Sequence, residues 1–291
     1  MTLSDFIVTK EKGIVYELKS KKPNYTINDL VLEESVLEQF QLCINKVKYY
    51  DKLYHDWELS KIDKRPNGVV INFYGPPGTG KTISAEAIAN LFNKNIIEVN
   101  YSDIYSELMG KSSKNLQNIF NIAKQEDAVL FFDEADSILS KRSNHSNSSD
   151  QDNNLTKSIM LKLLDSHDGI VIFATNYFDN YDPAFFRRIL AHIEFKMPDE
   201  DTRKQILFHM LSNKVPGRTS LDFNELSKES NGLTGGEIKN VIIQTLSKVI
   251  EIGYLTQSDL IQSIKQTKNS KGIPEEYIVE GEERERILAQ N

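Results

Sequence analysis

The segment GPPGTGKT combines three glycines with a lysine and a threonine, a set of residue types that suits phosphate binding. Glycines let the backbone fold tightly around an anion, so that main-chain N–H groups face the phosphates at the start of a helix. Lys81 can reach the outer phosphates of a nucleotide, and the Thr82 hydroxyl can ligate magnesium. The residues of this predicted phosphate loop are Gly75, Pro76, Pro77, Gly78, Thr79, Gly80, Lys81 and Thr82.

Two adjacent carboxylates, Asp133 and Glu134, end the apolar run AVLFFDEAD. Because neighbouring residues of a strand point to opposite faces, we expect the two acids to have different roles. Asp133 is predicted to hold Mg²⁺ with Thr82, and Glu134 to polarise an attacking water. A kinase would keep the metal carboxylate but would also need a site for its second substrate. For Asp136, a charge that favours a helix start and a functional role are equally open.

Three further polar residues follow apolar or helical segments. Asn176 ends the run VIFATN, and the company of the phosphate loop and the two acids favours a role in orienting water or sensing the outer phosphate. In isolation such an Asn is more often a turn former. Arg187 and Arg188 lie in YDPAFFRRI, where an arginine pair commonly just complements a helix end. In a ring they would instead reach a neighbour's nucleotide and stabilise transition-state charge, an effect of about 10³–10⁵ in rate.

Compact apolar runs alternate with helical periodicity along the middle of the chain. Alternation of this kind predicts an α/β fold, a three-layer sandwich around a parallel sheet, because helices must cover both faces of the sheet. The carboxyl ends of parallel strands then share one edge, where the phosphate loop and the acids can meet. The predicted strands are VVINFY (69–74), NIIEVN (95–100), AVLFFD (128–133), IVIFAT (170–175) and HIEFKM (192–197).

Four units are predicted from shifts in pattern. Residues 5–21 favour a β-hairpin around Gly13, and 29–56 have the periodicity of an amphipathic helix. The wholly polar segment 143–154 predicts a mobile loop. Helical patterns centred on 201–212, 222–229, 235–250 and 257–265 predict a small helical lid. The units are an N-terminal hairpin extension (1–22), a large α/β subdomain (23–197), the lid (198–268) and a charged tail (269–291).

Composition narrows the classes of function. A formal net charge of -7 over 291 residues disfavours broad binding to nucleic-acid phosphates. No apolar run approaches the ~20 residues of a membrane span, and the N-terminus lacks a secretory pattern, so we expect a cytoplasmic protein without membrane contact. Cys43 is the only cysteine, which excludes an internal disulfide and a multi-thiolate metal site.

The motifs together resemble the AAA+ ATPases, and within them the clade that includes katanin and spastin. The resemblance covers roughly 25–265 and rests on GPPGTGKT, LFFDEAD, FATN, DPAFFRRI and LTGGEIKNVI in the family's order. It implies a P-loop fold with a five-stranded sheet and a lid. It also implies a homo-oligomer, a hexamer with ATP and Mg²⁺ sites between copies, and a compact bacterial member of the clade.

The resemblance also assigns roles to single residues. It implies that Arg188 is the principal arginine finger with Arg187 beside it, and that Gly235 and Gly236 let the lid backbone approach the base or ribose. Leu108 and Met109 stand where protein-threading members carry an aromatic that grips substrate in a central pore. The alternative is that this aliphatic pair only packs at a helix end.

Three functions remain open at this point. The first is a ring motor that hydrolyses ATP and remodels or unfolds a protein client or adaptor, whose identity the sequence does not give. The second is an ATP-gated assembly or scaffold switch that threads nothing. The third, a nucleic-acid-handling AAA+ protein, is disfavoured by the acidic balance and by a lid without an arginine sensor.

Overall fold

The computed structural model describes residues 19–63, 68–100, 104, 111–141, 148–176 and 181–271. Most of the predicted N-terminal hairpin, the predicted pore residues Leu108 and Met109, and nearly all of the tail lie outside the described residues. The unit boundaries at 22, 197 and 268 stay predictions.

Five parallel strands form the centre of the molecule, which confirms the predicted sheet. The spatial order β2-β3-β4-β1-β5 places β1 between β4 and β5. Along β1 and β4 the register runs from Val69 opposite Ile170 to Tyr74 opposite Thr175. The strands are β1 (Val69–Tyr74), β2 (Ile96–Val99), β3 (Val129–Phe132), β4 (Ile170–Thr175) and β5 (Ala191–Glu194).

Helices cover both faces of this sheet. One apolar cluster lies between the sheet and helices that carry Leu116 and Leu161, and a second lies between the sheet and helices that carry Phe40 and Ile88. The three-layer arrangement follows from this burial on two sides. The helices are α1 (Glu34–Lys48), α2 (Lys81–Leu91), α3 (Lys111–Gln125), α4 (Asp136–Leu139), α5 (Ser148–Ser166) and α6 (Pro183–Phe186).

Two segments differ from the sequence-based expectation. The helical pattern predicted over 29–56 is interrupted: α1 ends at Lys48, and a π-helical turn follows at Lys52–Asp56. The segment 143–154, predicted as a mobile loop, contains the start of α5 at Ser148. Polar contacts hold this start, since the Ser112 hydroxyl donates to Asp152 at 3.0 Å. A count of apolar residues does not detect such contacts.

The lid is a separate small core of four helices, α7 (Glu200–Met210), α8 (Phe223–Glu229), α9 (Gly235–Val249) and α10 (Gln257–Ser270). Each begins at a side-chain cap: Asp199, Asp222, Thr234 and Thr256 accept hydrogen bonds from backbone N–H groups of the first turn. These helices lie where the periodicity predicts them.

Residues 30–32 pass between the two cores. Leu30 and Leu32 pack against the cluster beside α1, whereas Val31 packs against the lid cluster. The lid therefore contacts the segment of the chain that precedes the sheet. It also contacts the phosphate loop, which is described below. Across the described ranges, no helix has both the length and the apolar character that a membrane span requires.

Candidate active site

The phosphate loop joins the end of β1 to the start of α2, as the sequence predicts. Gly75, Gly78 and Gly80 have φ values of 133°, 78° and 108°, a region that side-chain-bearing residues rarely adopt. A Cβ atom at Gly75 would lie 2.0 Å from the carbonyl oxygen of Phe195. The loop therefore requires glycine for its backbone conformation and, at Gly75, for a close approach of the chain that follows β5.

Lys81 is buried at the base of this loop. Its Nζ donates to the carbonyl oxygens of Gly75 at 2.6 Å and Pro76 at 2.9 Å, and to Oδ1 of Asn176 at 3.1 Å. Burial lowers the pKa of the Lys81 ammonium, and the charge of the nearby Asp133 opposes that shift. Lys81 and Asn176, which are 95 residues apart, thus meet at one point on the carboxyl edge of the sheet.

Thr82 and Asp133 form the second part of the site. The Thr82 hydroxyl donates to Oδ2 of Asp133 at 3.4 Å, and the other carboxylate oxygen of Asp133 accepts the N–H of Glu134 at 2.9 Å. A hydroxyl and a carboxylate are hard oxygen donors of the kind that Mg²⁺ uses together with nucleotide phosphates and water. Among the described residues, no group of three or more His, Cys, Asp or Glu side chains is arranged to hold a metal ion by itself. The donor set fits Mg²⁺ held jointly with a nucleotide.

The two acids do not alternate along a strand, which corrects the sequence-based argument. Strand β3 ends at Phe132, and Asp133 and Glu134 both lie in the turn that follows. Glu134 has φ 50° and an exposed side chain. A left-handed backbone at a non-glycine residue costs about 1–2 kcal/mol, and such residues concentrate at functional sites. The local turn, rather than the period of a strand, gives the acids their different environments.

Asp136 has a defined partner at this edge. It begins α4, and its Oδ1 accepts a hydrogen bond from the Thr175 hydroxyl at the end of β4. The backbone N–H of Ala135 also donates to the carbonyl of Ala174 at 2.8 Å. The turn with the two acids is therefore fastened to the strand that leads into Asn176.

The two arginines differ in their surroundings. Arg188 makes a bidentate pair with Asp165 of α5, with Nε–Oδ1 and Nη2–Oδ2 distances of 2.8 and 2.7 Å. It also lines a small cavity with Gly68, which precedes β1. That end of β1 is opposite to the phosphate loop. The side chain of Arg187 is exposed and has no hydrogen bond or ion pair within the described ranges.

The lid reaches the site through the start of α9. The N–H of Gly236 donates to the carbonyl of Gly78 at 2.9 Å, and the neighbouring Gly235 lies 3.7 Å, measured from its notional Cβ, from the same oxygen. Thr234 caps α9 and receives a reciprocal contact from Glu237. Gly235 and Gly236 thus approach the backbone of the phosphate loop, and their predicted approach to a base or ribose stays a prediction.

Several residues at the site were not predicted from the sequence. Asp165 gives no local signal, because its partner Arg188 is 23 residues away. The carbonyl of Phe195 is backbone and carries no side-chain pattern. A signal did exist for Asn72, a polar residue inside the apolar run VVINFY, and for Tyr181, which directly precedes the turn that leads to the arginines.

This architecture, with its phosphate loop after β1 and its acids after β3, is that of a P-loop nucleoside-triphosphatase. The family model of the "ATPase family associated with various cellular activities (AAA)" matches residues 71–197. The chain belongs to this AAA ATPase family.

Curated relatives include proteins whose names concern the proteasome. The chain is 38% identical over 186 residues to "Proteasome-activating nucleotidase 1" of Haloferax volcanii, covering 60% of this chain and 44% of the relative. It is 31% identical over 215 residues to "Probable 26S proteasome regulatory subunit 10B" of Caenorhabditis elegans, covering 71% and 52%. It is 30% identical over 274 residues to "Proteasome-activating nucleotidase" of Saccharolobus solfataricus, covering 90% and 68%. The chain spans about half the length of the first two of these relatives.

These similarities correct the finer assignment within the family. The relatives are proteasome-activating nucleotidases and proteasome regulatory subunits, so the predicted placement beside katanin and spastin is wrong. They come from archaea and eukaryotes, and the predicted bacterial origin is not supported. The motifs used for the prediction are shared by many AAA ATPases and do not separate these groups.

Proposed function

We propose that this chain hydrolyses ATP with Mg²⁺ in a homo-oligomeric ring and uses the cycle to remodel or unfold a protein client. The observation that carries the proposal is the distribution of charge over the two edges of the sheet. Lys81, Asn176, Thr82 and Asp133 meet at the carboxyl edge, whereas Arg188 lies at the opposite edge. Among the described residues, the groups proposed to bind nucleotide therefore lie at one edge of a copy, and Arg188 lies at the other.

Each residue of the site has a proposed task. Thr82 and Asp133 would hold Mg²⁺, which supplies charge neutralisation between the outer phosphates. Lys81 exchanges its carbonyl partners for phosphate oxygens. Glu134 acts as the general base that polarises water, and Asn176 orients that water against the outer phosphate.

The arginines act on a neighbouring copy. In a ring with head-to-tail interfaces, the edge of one copy that bears Arg187 and Arg188 faces the nucleotide edge of the next. Their guanidinium groups then stabilise the charge that develops on the transferred phosphoryl group. We propose six copies per ring, as the resemblance to AAA+ ATPases implies.

The names of the relatives support a protein client. They describe activation or regulation of the proteasome, which degrades proteins, and the matches cover 60–90% of the chain. Leu108 and Met109 remain the proposed pore contacts, although both lie outside the described residues. The net charge of -7 continues to disfavour a nucleic-acid substrate, and we propose the cytoplasm as the compartment.

A second candidate is an ATP-gated assembly switch that threads nothing. The observation in its favour is the aliphatic Leu108 at the position where threading members carry an aromatic. If threading is correct, Leu108→Ala abolishes remodelling and spares ATP hydrolysis. Unchanged remodelling by this variant would favour the switch.

A mixing experiment tests the shared site. One chain carries Glu134→Gln, which removes the base, and the other carries Arg187→Ala and Arg188→Ala, which removes the finger. Each is expected to be inactive alone. Random mixing should restore roughly a quarter of wild-type turnover, because that fraction of interfaces pairs an intact base with an intact finger.

The matched control is Glu126→Gln. Glu126 is an exposed acid just before β3, at the opposite end of the strand from Glu134, and its removal should leave turnover unchanged. If the two inactive chains regain no turnover on mixing, although sedimentation shows mixed rings, the proposal of a shared site is wrong.

A further inference from the structure

A line of hydrogen bonds crosses the sheet from β1 to the turn with the two acids. Asn72 is fully buried in β1, and its Nδ2 donates to the Tyr181 hydroxyl at 3.1 Å. The Tyr181 side chain also interacts with the side chain of Thr175, whose hydroxyl donates to Asp136. The Tyr181 hydroxyl therefore lies between the middle of β1 and the end of β4, beside the turn that carries the two acids.

One end of this line belongs to the phosphate site. Thr175 directly precedes Asn176, which accepts the hydrogen bond of Lys81. Asp136, the last acceptor of the line, acts electrostatically on the same Lys81 ammonium. The position of the Tyr181 hydroxyl is therefore fixed relative to the groups that contact the phosphates.

The other end belongs to the turn that carries the arginines. Tyr181 directly precedes Asp182, whose carboxylate caps α6 by accepting the N–H of Ala184 at 2.8 Å. Helix α6 has only four residues and ends at Phe186, immediately before Arg187. A helix this short has little stability of its own.

The carboxyl end of α6 is also linked to Asn72, through His192. The His192 ring stacks on Phe186 with a centroid distance of 4.3 Å, and its Nδ1 lies 3.5 Å from Nδ2 of Asn72. Tyr181 fixes the entrance to α6, and the stacked pair fixes its exit. Asn72 is the residue common to both contacts.

Burial of this line among apolar residues indicates a specific use. Asn72 lies opposite Phe173 of β4 in the sheet register and is fully buried. Its Oδ1 has no hydrogen-bond partner in the described part of the chain. A buried amide with an unpaired oxygen lowers the free energy of unfolding of the protein relative to an apolar residue of similar shape. Packing alone therefore does not account for an asparagine at this position.

We propose that Tyr181 is a positioning residue for the arginine pair that its own copy lends to the neighbouring nucleotide site. This inference rests on the proposed shared site. Through Thr175 and Asn72, the Tyr181 hydroxyl fastens the short helix α6 to the phosphate-contacting end of β4. Loss of the hydroxyl leaves the aromatic ring of residue 181 in place but loosens the turn that carries the arginines. The arginines then spend less time in the geometry that hydrolysis needs.

The test uses a pair of chains with separated tasks. The donor chain carries Lys81→Ala, so it lends arginines but cannot use its own site. The receiver chain carries Arg187→Ala and Arg188→Ala, so it binds nucleotide but lends nothing. Their mixture should hydrolyse ATP only where a receiver site faces a donor arginine pair.

Tyr181→Phe is then placed in one chain at a time. In the donor it should lower the kcat of the mixture about 10-fold with an unchanged KM for ATP, because the arginines act on the transition state. In the receiver the same change should lower kcat by less than about 2-fold. A residue with only a structural role in its own copy would lower the activity equally from either chain.

Tyr254→Phe in the donor is the matched control. The Tyr254 hydroxyl lies 3.4 Å from the Ser220 hydroxyl on the lid, so its loss removes a similar contact away from the sheet. This control should leave the mixture unchanged. If Tyr181→Phe does not fold, the double change Asn72→Leu with Tyr181→Phe removes both polar partners, and the same asymmetry between donor and receiver is expected.

Three outcomes would overturn the inference. Equal losses from both chains, with either variant, would show a general structural role. A loss from the receiver alone would show that Tyr181 acts on its own nucleotide site. If donor and receiver without Tyr181→Phe regain no turnover in mixed rings, the shared site itself fails, and this inference fails with it.

Discussion

At each glycine of the phosphate loop, an added Cβ atom would contact a different neighbour. At Gly75 the neighbour is the Phe195 backbone, which cannot give way without moving the chain after β5. At Gly78 the notional Cβ lies 2.7 Å from Oγ1 of Thr234, the residue that caps α9. Gly80 has no neighbour closer than Ile83 at 3.7 Å. Gly78 is thus the glycine through which the phosphate loop contacts the lid.

Gly78→Ala is expected to weaken nucleotide binding at least about 10-fold, because the methyl group pushes Thr234 and α9 away from the loop. The change also forces alanine into a left-handed backbone, at a cost of about 1–2 kcal/mol. Equilibrium binding of a fluorescent ADP analogue measures the first effect, and thermal unfolding measures the second.

Gly253→Ala separates the two effects. Gly253 has φ 74° and nothing within 4 Å of its notional Cβ, so it carries the backbone strain without the contact. This variant should lose a similar amount of stability and keep its nucleotide affinity. Equal affinities for the two variants would show that the contact between Gly78 and Thr234 has no part in binding.

The sequence predicted the proposed chemical roles of single residues better than it predicted their backbone conformations and contacts. Thr82 and Asp133, which the sequence predicts to share a metal ion, lie within hydrogen-bond distance of each other. The left-handed backbone at Glu134 could not be predicted, since glutamate has no preference for that region. The pair Arg188–Asp165 joins the turn after α6 to α5 and depends on tertiary packing alone.

At the scale of elements, the cap of α9 couples lid stability to the nucleotide site. Thr234 and Glu237 form a capping box, and the helix that they start contacts Gly78. Thr256 and Asp259 form a second capping box, at the start of α10. The described part of the chain has a further capping box at Thr26 and Asp29, and among these caps only that of Thr234 starts the helix at the phosphate loop.

Thr234→Ala and Thr256→Ala should each lower the free energy of unfolding by about 1 kcal/mol, because each removes one cap. Only Thr234→Ala should also raise the Kd for nucleotide, since α9 begins at the phosphate loop. Chemical denaturation and the fluorescent-ADP titration measure the two quantities. A similar rise in Kd for Thr256→Ala would contradict a direct role for the α9 start.

The elements themselves were largely predictable because their signals are local. Apolar runs predicted all five strands, and periodicity predicted the four lid helices. The start of α5 at Ser148 was missed because polar contacts made by Ser112 and Lys157 stabilise it. Amino-acid composition does not reveal such contacts. The end of α1 was missed because the periodicity of apolar residues does not distinguish an α-helix from the π-helical turn that follows it.

At the scale of the whole molecule, we propose that the charged groups of each catalytic site are divided between two copies. The carboxyl edge of the sheet carries the groups proposed to contact phosphate and metal, and the opposite edge holds Arg188 against Asp165. An isolated chain should therefore bind ATP and hydrolyse it slowly. The missing arginine is expected to cost about 10³-fold or more in rate.

The most direct test is ATP turnover per chain, measured from nanomolar to micromolar chain concentration, with sedimentation of the same samples. Turnover per chain should rise with the fraction of chain in rings and should be close to zero where the chain sediments as a monomer. Full turnover by a sample that sediments entirely as a monomer would contradict the account.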